Sequence, residues 1–236
     1  MKKVYFLLIA FVGLLNSCGL YRQNVVNVPL FQHKGEVQIG GHASGTGYDG
    51  QVAVAVTNSM GLIGNLHFTN KNSSFSNTNY TKMNHGFYEV GVGHFRKNKR
   101  DFIHEYFLVF GQGNTSMQNA TGNGVIQNYD VRSAKYARWL LQADFGKVKN
   151  QVEYVLTPRV FWINYFDQVD TQDLSYLTIP HAFVWSDLAF SVRYAPMRFV
   201  KIMGQVSMTL PITGSKYGYY EASPLNASIG LVFNVR

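Results

Sequence analysis

From Glu36 to the end of the chain, apolar and polar residues alternate with a period of two, in stretches separated by turn chemistry. Ten such stretches predict strands, at 36–44, 51–57, 62–69, 85–95, 102–111, 134–146, 151–164, 182–194, 199–210 and 224–235. No segment carries a convincing helical period, so the chain is all-β. Its connections alternate in length. Short ones, "NSMG" (58–61), "RKNKRD" (96–101), "KVKN" (147–150) and "APMR" (195–198), lie between mostly longer ones at 45–50, 70–84, 112–133, 165–181 and 211–223. If every strand pairs with the next, all short turns fall at one end and all long loops at the other. That is the plan of bacterial outer-membrane barrels, with short periplasmic turns and long outer loops.

Alternation alone leaves a soluble sandwich open, so the content of the two faces has to decide. One face carries Val52, Val54 and Val56, then Tyr88, Val90 and Val92, Trp139 and Leu141, Leu188 and Phe190, Ile202 and Val206, and is almost free of charge. The other mixes glycines and small polar residues with charges of both signs: Glu89, Glu105, Arg138, Asp144, Glu153, Arg159, Asp187 and Arg193. Such a mixture suits a narrow, side-chain-filled lumen in which charges neutralise one another. Composition agrees, because charged residues make up 14% of the chain where about 25% is usual. A chain with so few charges cannot clothe a large water-facing surface. The predicted fold is a single up-and-down antiparallel transmembrane β-barrel of about ten strands.

Finer expectations follow from the same pattern. Aromatic girdles are expected at both membrane interfaces: Phe95, Phe102, Phe145, Tyr194 and Phe199 by the short turns, and Phe68, Phe110, Trp162, Tyr165 and Trp185 by the long loops. Pro158, mid-strand on the lipid side, lacks a ladder donor and predicts a bulge. A hairpin closed by "KVKN" would set Arg138 opposite Arg159 and Asp144 opposite Glu153, so acids from other strands would have to reach the arginines.

The amino terminus carries a separate signal. Lys2 and Lys3, the apolar run Val4 to Leu15 and the small polar pair Asn16 and Ser17 read as a signal peptide over 1–17. The run is too short to remain as a membrane helix, which needs roughly 20 residues. Leu15-Asn16-Ser17-Cys18 resembles the bacterial lipobox, which implies cleavage before Cys18, a diacylglycerol on its sulfur and acylation of the new amino terminus. Cys18 is the chain's single cysteine, so no disulfide competes for it. Residues 18–35 read as a lipidated tether and 36–236 as the barrel. No Asp follows Cys18 and no acidic cluster lies just beyond it, so the default expectation is an anchor in the periplasmic leaflet of the outer membrane.

The lipobox, "NVVNVPLFQHKGEVQIGG" and "GYDGQVAVAVTNSMGLIGNLHF" are together similar to uncharacterised outer-membrane lipoproteins of Bacteroidota, over residues 1 to 70. The resemblance implies a location and a fold and carries no catalytic residue. Small outer-membrane barrels do include proteases and lipid-modifying enzymes, and the candidates here would be His85, Asp167, Asp170, Asp173, His181 and Asp187. Nothing in their spacing pairs a base with a nucleophile, and no His/Asp cluster has metal-ligand spacing. No cofactor motif stands out, and nothing suits nucleic acid. The expectation is a non-enzymatic barrel that meets outer-membrane lipids and acts by recognition, adhesion or as a subunit beside an outer-membrane or periplasmic protein. The basic turn Arg96, Lys97, Lys99 and Arg100 would face headgroups or that partner. The alternatives are a barrel enzyme, a narrow pore and a lipid-anchored soluble β-sandwich binding protein.

Overall fold

The computed structural model describes residues 21–74, 80–98, 100–122, 127–170, 182–213 and 224–235. Its ten strands are β1 (Val37–Ser44), β2 (Tyr48–Ala55), β3 (Met60–Ser74), β4 (Tyr80–Lys97), β5 (Phe102–Gly122), β6 (Gln127–Lys149), β7 (Val152–Asp170), β8 (Ala182–Met197), β9 (Val200–Pro211) and β10 (Leu225–Asn234). Each pairs antiparallel with the next, and β1 pairs with β10, so the sheet closes into a barrel with no free edge. The fold is the up-and-down barrel expected from the alternation.

The apolar face points outward. Val90 is 62% exposed, Leu141 63% and Ile229 64%, while Glu105, Thr157 and Ser191 on the opposite face are at 0%. An apolar belt of this extent is not compatible with water, and it matches a barrel wall in contact with lipid.

Strand length varies around the barrel. β1 and β2 have 8 residues each, against 21 in β5 and 23 in β6. The wall is tall on the β4–β7 side at the long-loop end and low at β1, β2 and β10. The tall part takes in residues 112–122 and 127–133, within the stretch 112–133 expected as a loop. There the ladder continues, as Gln118 opposite Val131 shows, while the apolar alternation of the sequence lapses. The β1–β2 connection is correspondingly short, residues 45–47 rather than 45–50.

Three local expectations are corrected. The β6–β7 hairpin turns at Asn150 and Gln151, with Asn150 at a left-handed φ of 55° that Asn tolerates. Its register therefore sets Gln142 opposite Arg159 and Arg138 opposite Ile163. The shift is an even number of residues, so every side chain keeps its face while changing its partner. Pro158 makes no bulge: it pairs with Leu188 in unbroken register on β8. Finally, Phe95, Tyr165 and Trp185 are buried inside the barrel rather than in the girdles. The parity that turns Asp187 inward turns Trp185 inward too.

Candidate functional site

The lumen is occupied. Residues 21–31, the greater part of the segment expected as a tether, run through it in extended form with every residue but Arg22 buried. From Arg22 to Phe31 the chain belongs to no strand among the described residues, which leaves its backbone groups to be satisfied by side chains, and lumen side chains do so along its length. The Leu30 and Phe31 amides donate to Glu105 at 3.0 and 2.7 Å. Leu30 has φ of 53°, which turns these two consecutive N–H groups toward one carboxylate. Arg193 donates to the Val28 carbonyl at 2.7 Å, Gln38 to that of Pro29 at 2.8 Å and Gln142 to that of Asn27 at 2.7 Å. The Val26 amide donates to Gln205 at 2.8 Å, the Val25 amide to Asp49 at 3.1 Å, and Gln51 donates to the Val25 carbonyl at 2.8 Å. The Thr46 hydroxyl donates to the Gln23 carbonyl at 2.7 Å.

Packing completes the fit. A Cβ on Gly146 would collide with Leu30, and one on Gly61 with the Phe31 ring, so both glycines make room for the segment. The void among Asn27, Val28, Gln51 and Arg193 measures about 10 Å³, at the lower limit for one water.

The charged lumen residues are divided between strand-to-strand pairs and the segment. Arg138 on β6 pairs with Glu89 on β4, and Arg159 on β7 with Asp187 on β8. Glu153 lies between Lys201 at 2.9 Å and Arg193 at 2.6 Å, the latter close but not aligned as a hydrogen bond. Asn24 donates to Glu89 at 2.8 Å and accepts from Arg138, while Gln23 donates to Asp187 at 2.8 Å. The segment's amides therefore tie two buried ion pairs together. Glu105 and Asp144 face each other across β5 and β6, with no cation in ion-pair range among the described residues. Glu105 is satisfied by the segment's amides, and Asp144 accepts from Thr157 at 2.7 Å and from Gln142.

Toward the long-loop end the lumen becomes aromatic. The Arg138 guanidinium lies 4.4 Å from the Phe87 ring centre and 5.3 Å from that of Phe161. Tyr21 accepts from Arg138 and packs edge-on against Tyr136. His85 stacks on Tyr136 and bonds its hydroxyl at 2.7 Å. His67 meets Asp49 at 2.9 Å with both side chains fully buried.

The other sequence candidates are dispersed. Asp187 is held by Arg159, Asp167 pairs with Lys135 in the open at 2.9 Å, and Asp170 ends β7. Asp173, His181 and Lys99 lie outside the described residues, as does Cys18. No group of three or more His, Cys, Asp or Glu among the described residues is placed to hold a metal ion. In the basic turn, Lys97 pairs with Asp101 at 3.0 Å and donates to Gln32 at 2.8 Å, so part of that turn's charge is spent on the exit of the segment. Arg96 and Arg100 remain exposed there.

The chain matches no protein-family model and no curated relative. Among solved structures it is similar to the translocator domain of the autotransporter NalP from Neisseria meningitidis, at 9% identity and a TM-score of 0.48, covering 84% of this chain and 86% of that one. It is also similar to the outer-membrane protease OmpT from Escherichia coli, at 7% identity and 0.44, covering 84% and 93%. A third likeness is to the transport unit of the autotransporter AIDA-I from Escherichia coli, at 12% and 0.39, covering 95% and 96%.

Proposed function

We propose that the protein is a sealed, lipid-anchored outer-membrane barrel that acts through what its loops and turns touch, in surface recognition or adhesion or as a subunit of an outer-membrane complex. The observation that carries this reading is the filled lumen. Residues 21–31 occupy the space a solute would need, and side chains of most strands hold them there. Neither conduction nor chemistry inside the lumen is supported by such packing. Candidate acid–base residues such as His85 and Asp187 are already bound to structural partners. The lipobox-like Leu15-Asn16-Ser17-Cys18 supports acylation of Cys18, and several acyl chains together give stable anchoring where one is marginal.

Planar-bilayer recording of the purified full-length protein tests the seal. The expected result is no discrete conductance, and stable ion-conducting steps would overturn the reading. Mass spectrometry of the mature amino terminus tests the anchor: an unmodified amino group at Cys18, or cleavage elsewhere, would remove it. Capture of complexes in mild detergent, before and after shaving the loops with protease, then separates partners that need the loops from those that need the turns.

A further inference from the structure

We infer that the amino-terminal segment is threaded from the short-turn end to the long-loop end, so that the chain before Tyr21 emerges at the cell-surface mouth. The lipid on Cys18 then enters the outer leaflet. The lipid half of this inference rests on the acylation proposed above; the threading does not.

The direction follows from the order of contacts. Phe31 packs on Phe95 and Leu30 and Phe31 bond Glu105, all close to the short turn that joins β4 to β5. Asn27 and Val26 meet Gln142 and Gln205 partway up β6 and β9. Gln23 reaches Thr46, in the hairpin that joins β1 and β2 at the long-loop end. The Arg22 guanidinium lies 3.0 Å from the Met83 sulfur near the outer end of β4. Each step toward the amino terminus is a step outward.

The depth of Tyr21 can be read from the wall beside it. Its partner Arg138 is followed by Trp139, which points outward, packs at a tilt against Phe110 with ring centres 4.8 Å apart and lies opposite Trp162. These three rings, with Tyr48 and Phe68 stacked at 5.4 Å, form the outer aromatic girdle. Tyr21 therefore sits level with the outer membrane interface. Cys18 is three residues away, a reach of about 11 Å at full extension. The inner leaflet lies across a hydrocarbon band about 25 Å tall, and the route back is closed by the segment itself, with a void of about 10 Å³ beside it. An anchor in the periplasmic leaflet, the expectation from the sequence, is out of reach of this threading.

The test uses the full chain in its own outer membrane, with a membrane-impermeant maleimide on intact and permeabilised cells. Leu20→Cys and His33→Cys report the two ends, since His33 is 74% exposed beside the short turns. The expected result is labelling of Leu20→Cys in intact cells and of His33→Cys only after permeabilisation. Labelling of Leu20→Cys only after permeabilisation, labelling of His33→Cys in intact cells, or no labelling of Leu20→Cys in either state would each overturn the threading. The parent protein separates the two halves, because an acylated Cys18 sulfur cannot react. A parent that labels in intact cells refutes the lipid and keeps the threading, and a parent silent under both conditions, with Leu20→Cys labelled on intact cells, supports both.

Discussion

On β6, Trp139 and Leu141 face outward at 47% and 63% exposure, and between and beside them Arg138, Leu140 and Gln142 face inward at 1%, 2% and 5%. One residue step separates two kinds of requirement. The outer face has to be apolar, and almost any apolar residue satisfies it, since lipid chains conform to whatever they meet. The inner face has to match a particular object: Arg138 needs Glu89, Gln142 needs the Asn27 carbonyl, and Gly146 needs to be absent of side chain because Leu30 is there. The outside of the barrel is specified by composition, and the inside by partners.

The sharpest way to break that contrast is Arg138→Met. It leaves Glu89 buried without its cation, and removal of one member of a buried pair costs about 3–5 kcal/mol. Urea unfolding in lipid should show that loss, and the added change Glu89→Gln should recover part of it. Leu141→Met, three residues away on the outer face, should be silent. If Arg138→Met is silent as well, the inner face is as permissive as the outer one.

The outer face fails in its own way. Phe190→Arg or Ile202→Arg, mid-belt at 45% and 42% exposure, should cost about 2–4 kcal/mol near the bilayer midplane. The loss should shrink in wide detergent micelles, whereas that of Arg138→Met should persist. A smaller effect, about 1–3 kcal/mol for overpacking, is expected from Gly146→Val, measured as a lowered temperature for the folded-to-unfolded shift on gels. Gly204, where an added Cβ meets nothing within 4 Å, serves as its control through Gly204→Ala. Smallest is Asp101→Asn, which removes the exposed Lys97–Asp101 pair and keeps a residue tolerant of the left-handed φ of 57°. Its effect should stay within about 1 kcal/mol.

The same contrast accounts for what could be read from the sequence. The outward belt, the all-β class and the strand number come from a period of two, which is a property of neighbours along the chain. Inward charges were also visible as a set, since parity assigns a face to each. Their partners were not, because a two-residue turn at Asn150 rather than a longer one moves Arg159 from Arg138 to Gln142. The occupied lumen was missed for a different reason. "YRQNVVNVPLF" has no alternation, and an extended segment satisfied by side chains has no pairing pattern to display. A signal was nonetheless present: Val25, Val26, Val28, Leu30 and Phe31 among amides are too apolar for a solvated spacer, and the lumen-facing Gln38, Gln51, Gln142 and Gln205 are more amides than the strands need for one another.

The lumen contacts of residues 21–31 also set the order in which the molecule can be assembled. Gln23 bonds Ser207 across 184 positions, and Val26 bonds Gln205 across 179, so residues synthesised early find their partners among residues synthesised late. Contacts so distant in sequence are slow to form, because loop closure must precede any gain from them. In the finished molecule the pairing of β1 with β10 closes a ring around a thread. The side chains that line the closed wall are the same ones that order its interior.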